Sequence, residues 1–391
     1  MPDSTITTLD AQYIAPTYAR FPVTFVRGQD AFLFDDAGRR YIDMGSGIAV
    51  SVLGYANPAW EEAVCTQAHT LSHVSNLYFT QPQTLLAQHL CERSGMKRAF
   101  FGNSGAEANE CAIKTARKYS ADLHGENTRP VIVTLENSFH GRTLATLAAT
   151  GQETFHHHFG PFPKGFAYVP PNDLFALTAM LESQPVCAVM LETVQGEGGV
   201  EPLDPAYLNA VRAMTLEKDI LLIIDEVQTG NGRTGKLFSY QHFDWLPDIV
   251  TTAKGLAGGL PMGVCLLGEK VMNTLSAGSH GSTFGGNPIC AAAALAVQQQ
   301  LTDDLLAEVQ KKGAYITEEL TALPQVQNVS GMGLMLGVAC TRDPKELVLA
   351  LLARGVVCLT AKHKLRLLPP LTIGWEELAQ AVTIIKEEIA K

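Results

Sequence analysis

Short apolar runs rich in β-branched and aromatic residues alternate along the chain with longer helical stretches. Arg98–Phe101, Val131–Leu135, Phe166–Val169, Val186–Leu191, Ile220–Ile224, Ile249–Thr252 and Val264–Leu267 each carry the signature of a buried strand. Between several of them lie segments of helix length. Glu107–Tyr119, Leu174–Leu181 and Pro205–Glu217 are the clearest, the last with Pro205 in a first helical turn behind Asp204 as its expected cap. This order predicts an α/β fold, with a mostly parallel sheet covered by helices on both faces. Ligands of such sheets gather where strands end and loops begin, so the chemistry is expected just past the strands.

After Gly285-Gly-Asn-Pro288 the texture changes. An alanine-rich helix is followed by a second helix near Leu305–Leu323, a glycine-flanked strand at Leu334–Val338, and helices near Pro344–Ala353 and Glu376–Ile389. The expected division is an N-terminal segment, 1–55, that joins a small domain and the site entrance; a large domain, 56–287; and a C-terminal small domain, 288–391.

Composition narrows the function. With 46% hydrophobic and 17% charged residues the chain is too apolar for disorder. Its longest apolar run, Ile289–Val297, has about half the residues a membrane-spanning helix needs. The first residues lack both a basic start and an apolar stretch, which predicts a cytoplasmic address. A net charge of −10 without charged blocks disfavours nucleic acid as a partner and leaves small anionic substrates open. The eight cysteines form no Cys-x-x-Cys and predict buried, reduced thiols.

Some patterns mimic other chemistry. Ile220-Leu-Leu-Ile-Ile-Asp225-Glu226 looks like the acidic strand end of a nucleotide hydrolase, and Gly230 to Gly235-Lys236 is one residue short of a phosphate loop, but Leu237 offers no hydroxyl for magnesium. Consecutive His156, His157 and His158 cannot converge easily on one ion, and His69 with His73 lack the third ligand of a metalloprotease, so no metal is expected.

The informative residues are spread over the strand ends. Asp225 closes one apolar strand, and Lys254 follows the next, ahead of a glycine-rich stretch. A lysine there can form a Schiff base with an aldehyde cofactor. Upstream, Gly102-Asn-Ser104-Gly105-Ala106 is a small-residue turn opening a helix, where backbone N–H groups and the helix dipole hold a phosphate. Phosphate, aldehyde and a ring nitrogen beside a carboxylate together describe pyridoxal 5′-phosphate.

The set Asn103-Ser-Gly-Ala-Glu-Ala-Asn, Phe139-His-Gly-Arg142-Thr, Gln195-Gly-Glu197-Gly-Gly, Asp225-Glu-Val-Gln228-Thr-Gly, Lys254-Gly-Leu and Gly281-Ser-Thr283-Phe-Gly-Gly-Asn resembles the class III aminotransferases, ornithine/acetylornithine type. The resemblance extends over nearly the whole chain, through Tyr18-Ala-Arg-Phe-Pro, Arg233-Thr-Gly-Lys-Leu-Phe and Leu365-Arg366-Leu-Leu-Pro-Pro-Leu. It implies the type I fold of pyridoxal-phosphate enzymes, with a seven-stranded sheet in the large domain and a smaller α+β domain. It also implies a homodimer with shared active sites. Lys254 would be the Schiff-base lysine and the proton-transferring base, Asp225 the partner of the ring nitrogen, Gln228 the contact to the 3-oxygen, and Phe139 the stack on the ring. Ser104, Gly105 and Ala106 would bind phosphate, joined by Thr283 from a second subunit. Arg142, assisted by Tyr18, would bind the donor's α-carboxylate or glutamate's distal one. Arg366 would bind the α-carboxylate of glutamate or 2-oxoglutarate, and Glu197 would cover Arg366 when a terminal amine is the substrate. The implied reaction is ping-pong transfer of the terminal amine of acetylornithine to 2-oxoglutarate in arginine biosynthesis. Ornithine, succinylornithine and 4-aminobutyrate are the alternative donors, and a nucleotide hydrolase or a noncatalytic cofactor-binding protein is the alternative from another class.

Departures from the family pattern fall away from this chemistry. Tyr55 and Asn57 stand where relatives usually have histidines, and Thr193 where proline is common. Ile48 stands where ornithine aminotransferases tend to have tyrosine, which weighs against free ornithine and suits acetylornithine or 4-aminobutyrate equally.

Overall fold

The chain's central seven strands are β1 (Arg98–Gly102), β2 (Val131–Leu135), β3 (Phe166–Val169), β4 (Val186–Leu191), β5 (Leu221–Asp225), β6 (Ile249–Thr252) and β7 (Gly263–Leu267). A computed structural model, which describes residues 4–391, lays them side by side in the order β1-β7-β6-β5-β4-β2-β3. Strands β4 and β5 are buried at every position, as their unbroken apolar runs require of a sheet covered on both faces. The sheet is parallel except for β7, which runs antiparallel to both neighbours. Only residues 253–262 join β6 to β7, too few for the crossover of a dozen or more residues that a parallel pair needs.

This topology brings four places to one sheet edge: the end of β1 at Gly102, the end of β5 at Asp225, the residues after β6, and the start of β7, where Gly263 pairs with Gly102. Helix α1 (Gly105–His124) leaves that edge and packs back over β6 and β7 on a face that includes Ala108, Cys111, Ala112 and Ala116. Elsewhere, helix Pro205–Glu217 begins at Asp204 as expected, but no side-chain cap bond is made there; Asp204 instead donates its N–H to Asn172 Oδ1 at 2.9 Å.

Besides a two-stranded hairpin of Val194–Gln195 and Glu201–Pro202, two four-stranded sheets accompany the large one. Val326–Met332, Met335–Cys340, Lys364–Leu367 and Leu359–Ala361 form an antiparallel sheet, against which helix Asp303–Thr321 packs. Phe25–Gln29, Phe32–Asp35 and Arg40–Asp43 form another, completed by Val356–Val357, which pairs parallel with Ile42 and Asp43. The first strands of the chain are thus hydrogen-bonded to a segment near its end. Strand Val326–Met332 escapes the apolar pattern because its sequence is V-Q-N-V-S-G-M, and its pairing with Met335–Cys340 and the packing of helix Asp303–Thr321 order it. The expectation of buried thiols holds for Cys111, Cys187, Cys265 and Cys358, whereas Cys65 is exposed on helix Pro58–Thr70, whose described residues include no buried one. No helix among the described residues is long and apolar enough to cross a membrane.

Candidate active site

The turn after β1 is built to present a helix N-terminus. Ser104 caps α1, its Oγ accepting the Glu107 N–H at 3.2 Å, while the Glu107 carboxylate reaches back to the Asn103 N–H at 2.5 Å. The turn lies so close to its neighbours that two glycines are obligatory. A Cβ on Gly105 would fall 2.7 Å from Val227 Cγ1, and one on Gly263 would fall 2.0 Å from the Ser104 carbonyl oxygen. Gly105 and Ala106, in the first turn of α1, therefore line a cavity of about 430 Å³ with N–H groups that no helical carbonyl can satisfy.

Asp225 lies at the floor of that cavity, 2% exposed. Its Oδ2 accepts from Asn109 Nδ2 at 2.8 Å and from His140 Nδ1 at 2.7 Å, and its Oδ1 accepts from the Val227 N–H at 2.9 Å. Asn109 is itself oriented by Thr251, whose hydroxyl donates to Asn109 Oδ1 at 2.6 Å. Phe139 lines the same cavity, and its N–H donates to Glu192 Oε2 at 3.1 Å.

Lys254 enters from the loop after β6 with φ at +43°, a left-handed conformation that costs a non-glycine residue about 1–3 kcal/mol and is tolerated where the surroundings impose it. Burial lowers its ammonium to about 8, with the Glu197 carboxylate partly offsetting that effect. The cavity thus holds an amine that is partly uncharged near neutral pH.

Charged side chains surround this amine. Arg142 lines the cavity with its guanidinium over the Phe155 ring, 4.1 Å from the centroid, and 5.5 Å from that of Phe139. Arg366, 4% exposed, donates through Nη1 to Glu197 Oε1 at 2.5 Å and to Gln228 Oε1 at 3.3 Å, while its buried Nε has no protein partner. Burial pushes the Glu197 carboxyl up, but the Arg366 guanidinium more than offsets it and leaves the group below the usual carboxylate value. Gln228 fits beside this pair because Gly196 has no side chain; a Cβ there would fall 2.5 Å from Gln228 Oε1.

Ser104, Gly105, Ala106, Phe139, Arg142, Asp225, Gln228 and Lys254 therefore line one cavity, with Glu197 and Arg366 joined to it through Gln228. Two sequence-predicted residues lie elsewhere. Tyr18 is 74% exposed and borders a different cavity, with Phe25 and Val357, and Thr283 is exposed on the loop before helix Pro288–Gln300. Three residues with no expected role stand in the site. Asn109 and His140 fix Asp225, and Glu192 accepts two backbone N–H groups, from Phe139 and Gly196. Burial pushes the Glu192 carboxyl up to about 7. The available signal was polarity in the wrong place: an asparagine on the buried face of α1 and a glutamate directly after an all-apolar strand.

The departures noted in the sequence have structural partners outside the cavity. The Tyr55 hydroxyl donates to Asp43 Oδ2 at 2.7 Å, Asn57 caps helix Pro58–Thr70, and Thr193 bonds Ser239, which in turn donates to Glu226 at 2.6 Å. The histidine tract packs locally, with His156 Nε2 against the Leu147 carbonyl at 2.9 Å.

A model of the aminotransferase class-III family matches residues 13–389. The chain belongs to the class III aminotransferases. Acetylornithine aminotransferase of Haemophilus ducreyi is 53% identical over 393 residues, spanning both chains completely, and that of Caldanaerobacter subterraneus subsp. tengcongensis is 45% identical over 98% of this chain and 99% of its own. Among solved structures, ornithine aminotransferase of Toxoplasma gondii superposes with a TM-score of 0.94 at 31% identity, covering 98% of this chain and 94% of its own, and one form of it holds pyridoxal phosphate at partial occupancy. N-acetylornithine aminotransferase of Stenotrophomonas maltophilia gives a TM-score of 0.85 at 34% identity, with 98% of each chain covered. Class III aminotransferases are pyridoxal-phosphate-dependent transaminases, and the donor set here fits that cofactor. A helix N-terminus suits its phosphate, the Lys254 amine its aldehyde, the anchored Asp225 carboxylate its ring nitrogen, and Phe139 its ring face.

Proposed function

We propose that this enzyme is an acetylornithine:2-oxoglutarate aminotransferase acting in arginine biosynthesis, with Lys254 and Asp225 as its catalytic residues. Ser104, Gly105, Ala106, Phe139 and Gln228 hold pyridoxal phosphate in this reading. The observation that carries the substrate assignment is the pairing of Glu197 with Arg366, joined through Gln228 to the cavity that Arg142 lines: Arg142 is left for a substrate carboxylate, whereas Arg366 is covered by a carboxylate of the protein. A donor with a carboxylate at one end and a bare amine at the other matches that arrangement, and so does an acceptor with two carboxylates once Glu197 moves aside.

When bound, pyridoxal phosphate carries the amino group between donor and acceptor and draws electrons from the carbon that loses its proton. Asp225 would hold the ring nitrogen protonated, its carboxylate fixed by the bonds from Asn109, His140 and Val227. Lys254 Nζ would take the proton from the donor's amine-bearing carbon and hand it to the cofactor's aldehyde carbon within the same half-reaction, and would move one the opposite way when 2-oxoglutarate is the acceptor; an amine lowered to about 8 can do both near neutral pH. Arg142 orients the donor by its carboxylate. Arg366 does the same for 2-oxoglutarate and glutamate, with Glu197 covering it while the terminal-amine donor is bound.

The working unit in this reading is a homodimer in which Thr283 serves the partner's site. Its support is an exposed apolar patch: Leu77 and Phe79 are 87% and fully exposed, beside Phe284, and Asn76 Nδ2 ties the two segments together by bonding the Gly285 carbonyl at 2.8 Å. We also read residues 56–287 as the large domain, with 1–55 and 288–391 contributing the small one, and place the enzyme in the cytoplasm, in keeping with its unpaired thiols.

The deciding experiment is steady-state turnover of acetylornithine, ornithine, succinylornithine and 4-aminobutyrate with 2-oxoglutarate. The largest kcat/KM belongs to acetylornithine; a larger value for 4-aminobutyrate defeats the assignment.

A further inference from the structure

Glu197 sits on a turn that is not relaxed by itself. Three residues on, Val200 is fully buried and holds φ at +56°, a left-handed conformation that β-branched residues avoid because the branch meets the backbone. Something must hold it. Ser330 Oγ donates to the Val200 carbonyl at 2.7 Å, Lys364 Nζ donates to that same Ser330 Oγ at 2.7 Å, and Lys364 also pairs with the Glu201 carboxylate at 2.5 Å. The Lys364 side chain is 3% exposed, so these two partners replace the water its amine would otherwise bind.

The placement ties this cluster to the substrate arginine. Lys364 and Arg366 are two positions apart on one strand, so they share a sheet face. Lys364 grips Glu201 and Arg366 grips Glu197, which makes two ion pairs between the same strand and the same turn. Across the sheet Ser330, Gly337 and Arg366 stand in register, and Gly337 leaves room for both partners: a Cβ there would fall 2.9 Å from Val200 Cβ and 3.1 Å from Lys364 Cδ.

We infer that Lys364, Ser330 and Glu201 form a clamp that positions Glu197 over Arg366 and thereby favours the amine-donor half-reaction. The inference rests on the proposed reading in which Glu197 covers Arg366 for the terminal-amine donor and leaves it for 2-oxoglutarate. The donor half-reaction needs the covered state, and the acceptor half-reaction needs the uncovered one. Loosening the clamp therefore acts on the two halves unequally.

The test uses the dimeric holoenzyme and single-turnover absorbance changes, with acetylornithine for one half and 2-oxoglutarate for the other. Lys364→Met cuts both of its own links at once and endangers folding, so Ser330→Ala, which removes the bonds to Val200 and from Lys364, and Glu201→Gln, which removes the ion pair with Lys364, carry the test. Each is expected to lower the acetylornithine half-reaction about tenfold in kcat/KM and to leave the 2-oxoglutarate half within about twofold. Placed in a Glu197→Gln background, neither should add a further loss. Equal losses in both halves, no loss in either, or full additivity with Glu197→Gln overturns the clamp. Equal losses in both halves for Glu197→Gln alone instead defeats the switch reading beneath it, and the clamp's role falls with it.

Discussion

His140 and Asp225 are joined by a 2.7 Å hydrogen bond between Nδ1 and Oδ2, with both side chains out of solvent. An ionised carboxylate only accepts, so the imidazole proton lies on Nδ1 and the ring points its other nitrogen, Nε2, where it has no protein partner. Asn109 shares Oδ2 and the Val227 N–H takes Oδ1, so the acid cannot turn away from the cavity. The anion is held in place before any ligand arrives.

Replacing that anion should remove the electron-withdrawing power of the site while leaving its shape. A charge pair at about 4 Å is worth ~4 kcal/mol at an effective dielectric of 20, roughly three pK units on the ring nitrogen. Asp225→Asn is therefore expected to lower kcat by about 1000-fold with the cofactor still bound. His140→Ala, which deletes one bond to a charged acceptor, should lower it by about 10- to 100-fold. Cofactor absorbance and stopped-flow half-reactions measure both.

The Lys254 amine predicts a pH dependence with a definite sign. Its uncharged form is the nucleophile, and burial lowers the group to about 8 from 10.5, so the reactive fraction grows as pH rises through about 8. The rate at which apoenzyme takes up pyridoxal phosphate should climb between about pH 7 and 9 and then level. A rate still rising steeply above pH 10 would mean an ordinary solvated lysine. Lys254→Ala should bind the cofactor without the covalent spectrum and show no steady-state turnover.

The phosphate cradle should fail by crowding. Gly105→Ala sets a methyl 2.7 Å from Val227 Cγ1, and the turn must move to accept it. Overpacking of this kind costs about 1–3 kcal/mol, and because the strain falls on the cradle, the expected result is a roughly tenfold or greater rise in cofactor Kd. Equilibrium titration of the apoenzyme tests this. Gly263→Ala, whose methyl would meet the Ser104 carbonyl, should be worse, since backbone yields less than a side-chain tip.

Legibility in the sequence followed the physics of each element. Strands β2, β3, β4 and β6 were predicted to the residue because a buried parallel strand leaves an unbroken apolar run between turns. The antiparallel course of β7 was not, since direction depends on connection length and on neighbours. The N-terminal sheet and Val326–Met332 were missed for a related reason: their residues alternate weakly and gain order from strands far away in sequence. In the site, Lys254 and Asp225 stood out as charges at the ends of apolar runs. Glu192 and His140 did not, because each acts through another group, and Thr283 and Tyr18 stand away from the cavity of their own chain.

In the proposed reading Arg142 recognises carboxylates and takes no part in the proton transfer. Its guanidinium carbon lies over Phe155, 4.1 Å from the ring centroid, so a planar fork reaches the cavity from a cation–π contact. Lysine keeps the charge but neither stacks nor binds a carboxylate through two parallel bonds. Arg142→Lys should therefore raise KM for acetylornithine and for 2-oxoglutarate alike, by about 10- to 100-fold, with a smaller change in kcat. In the proposed reading both substrates suffer because the same side chain meets the donor's α-carboxylate and the acceptor's distal one, in contrast to Glu197 variants, which are expected to act on one half-reaction. A KM increase confined to acetylornithine would assign Arg142 to the donor alone and require another cation for the acceptor's distal carboxylate.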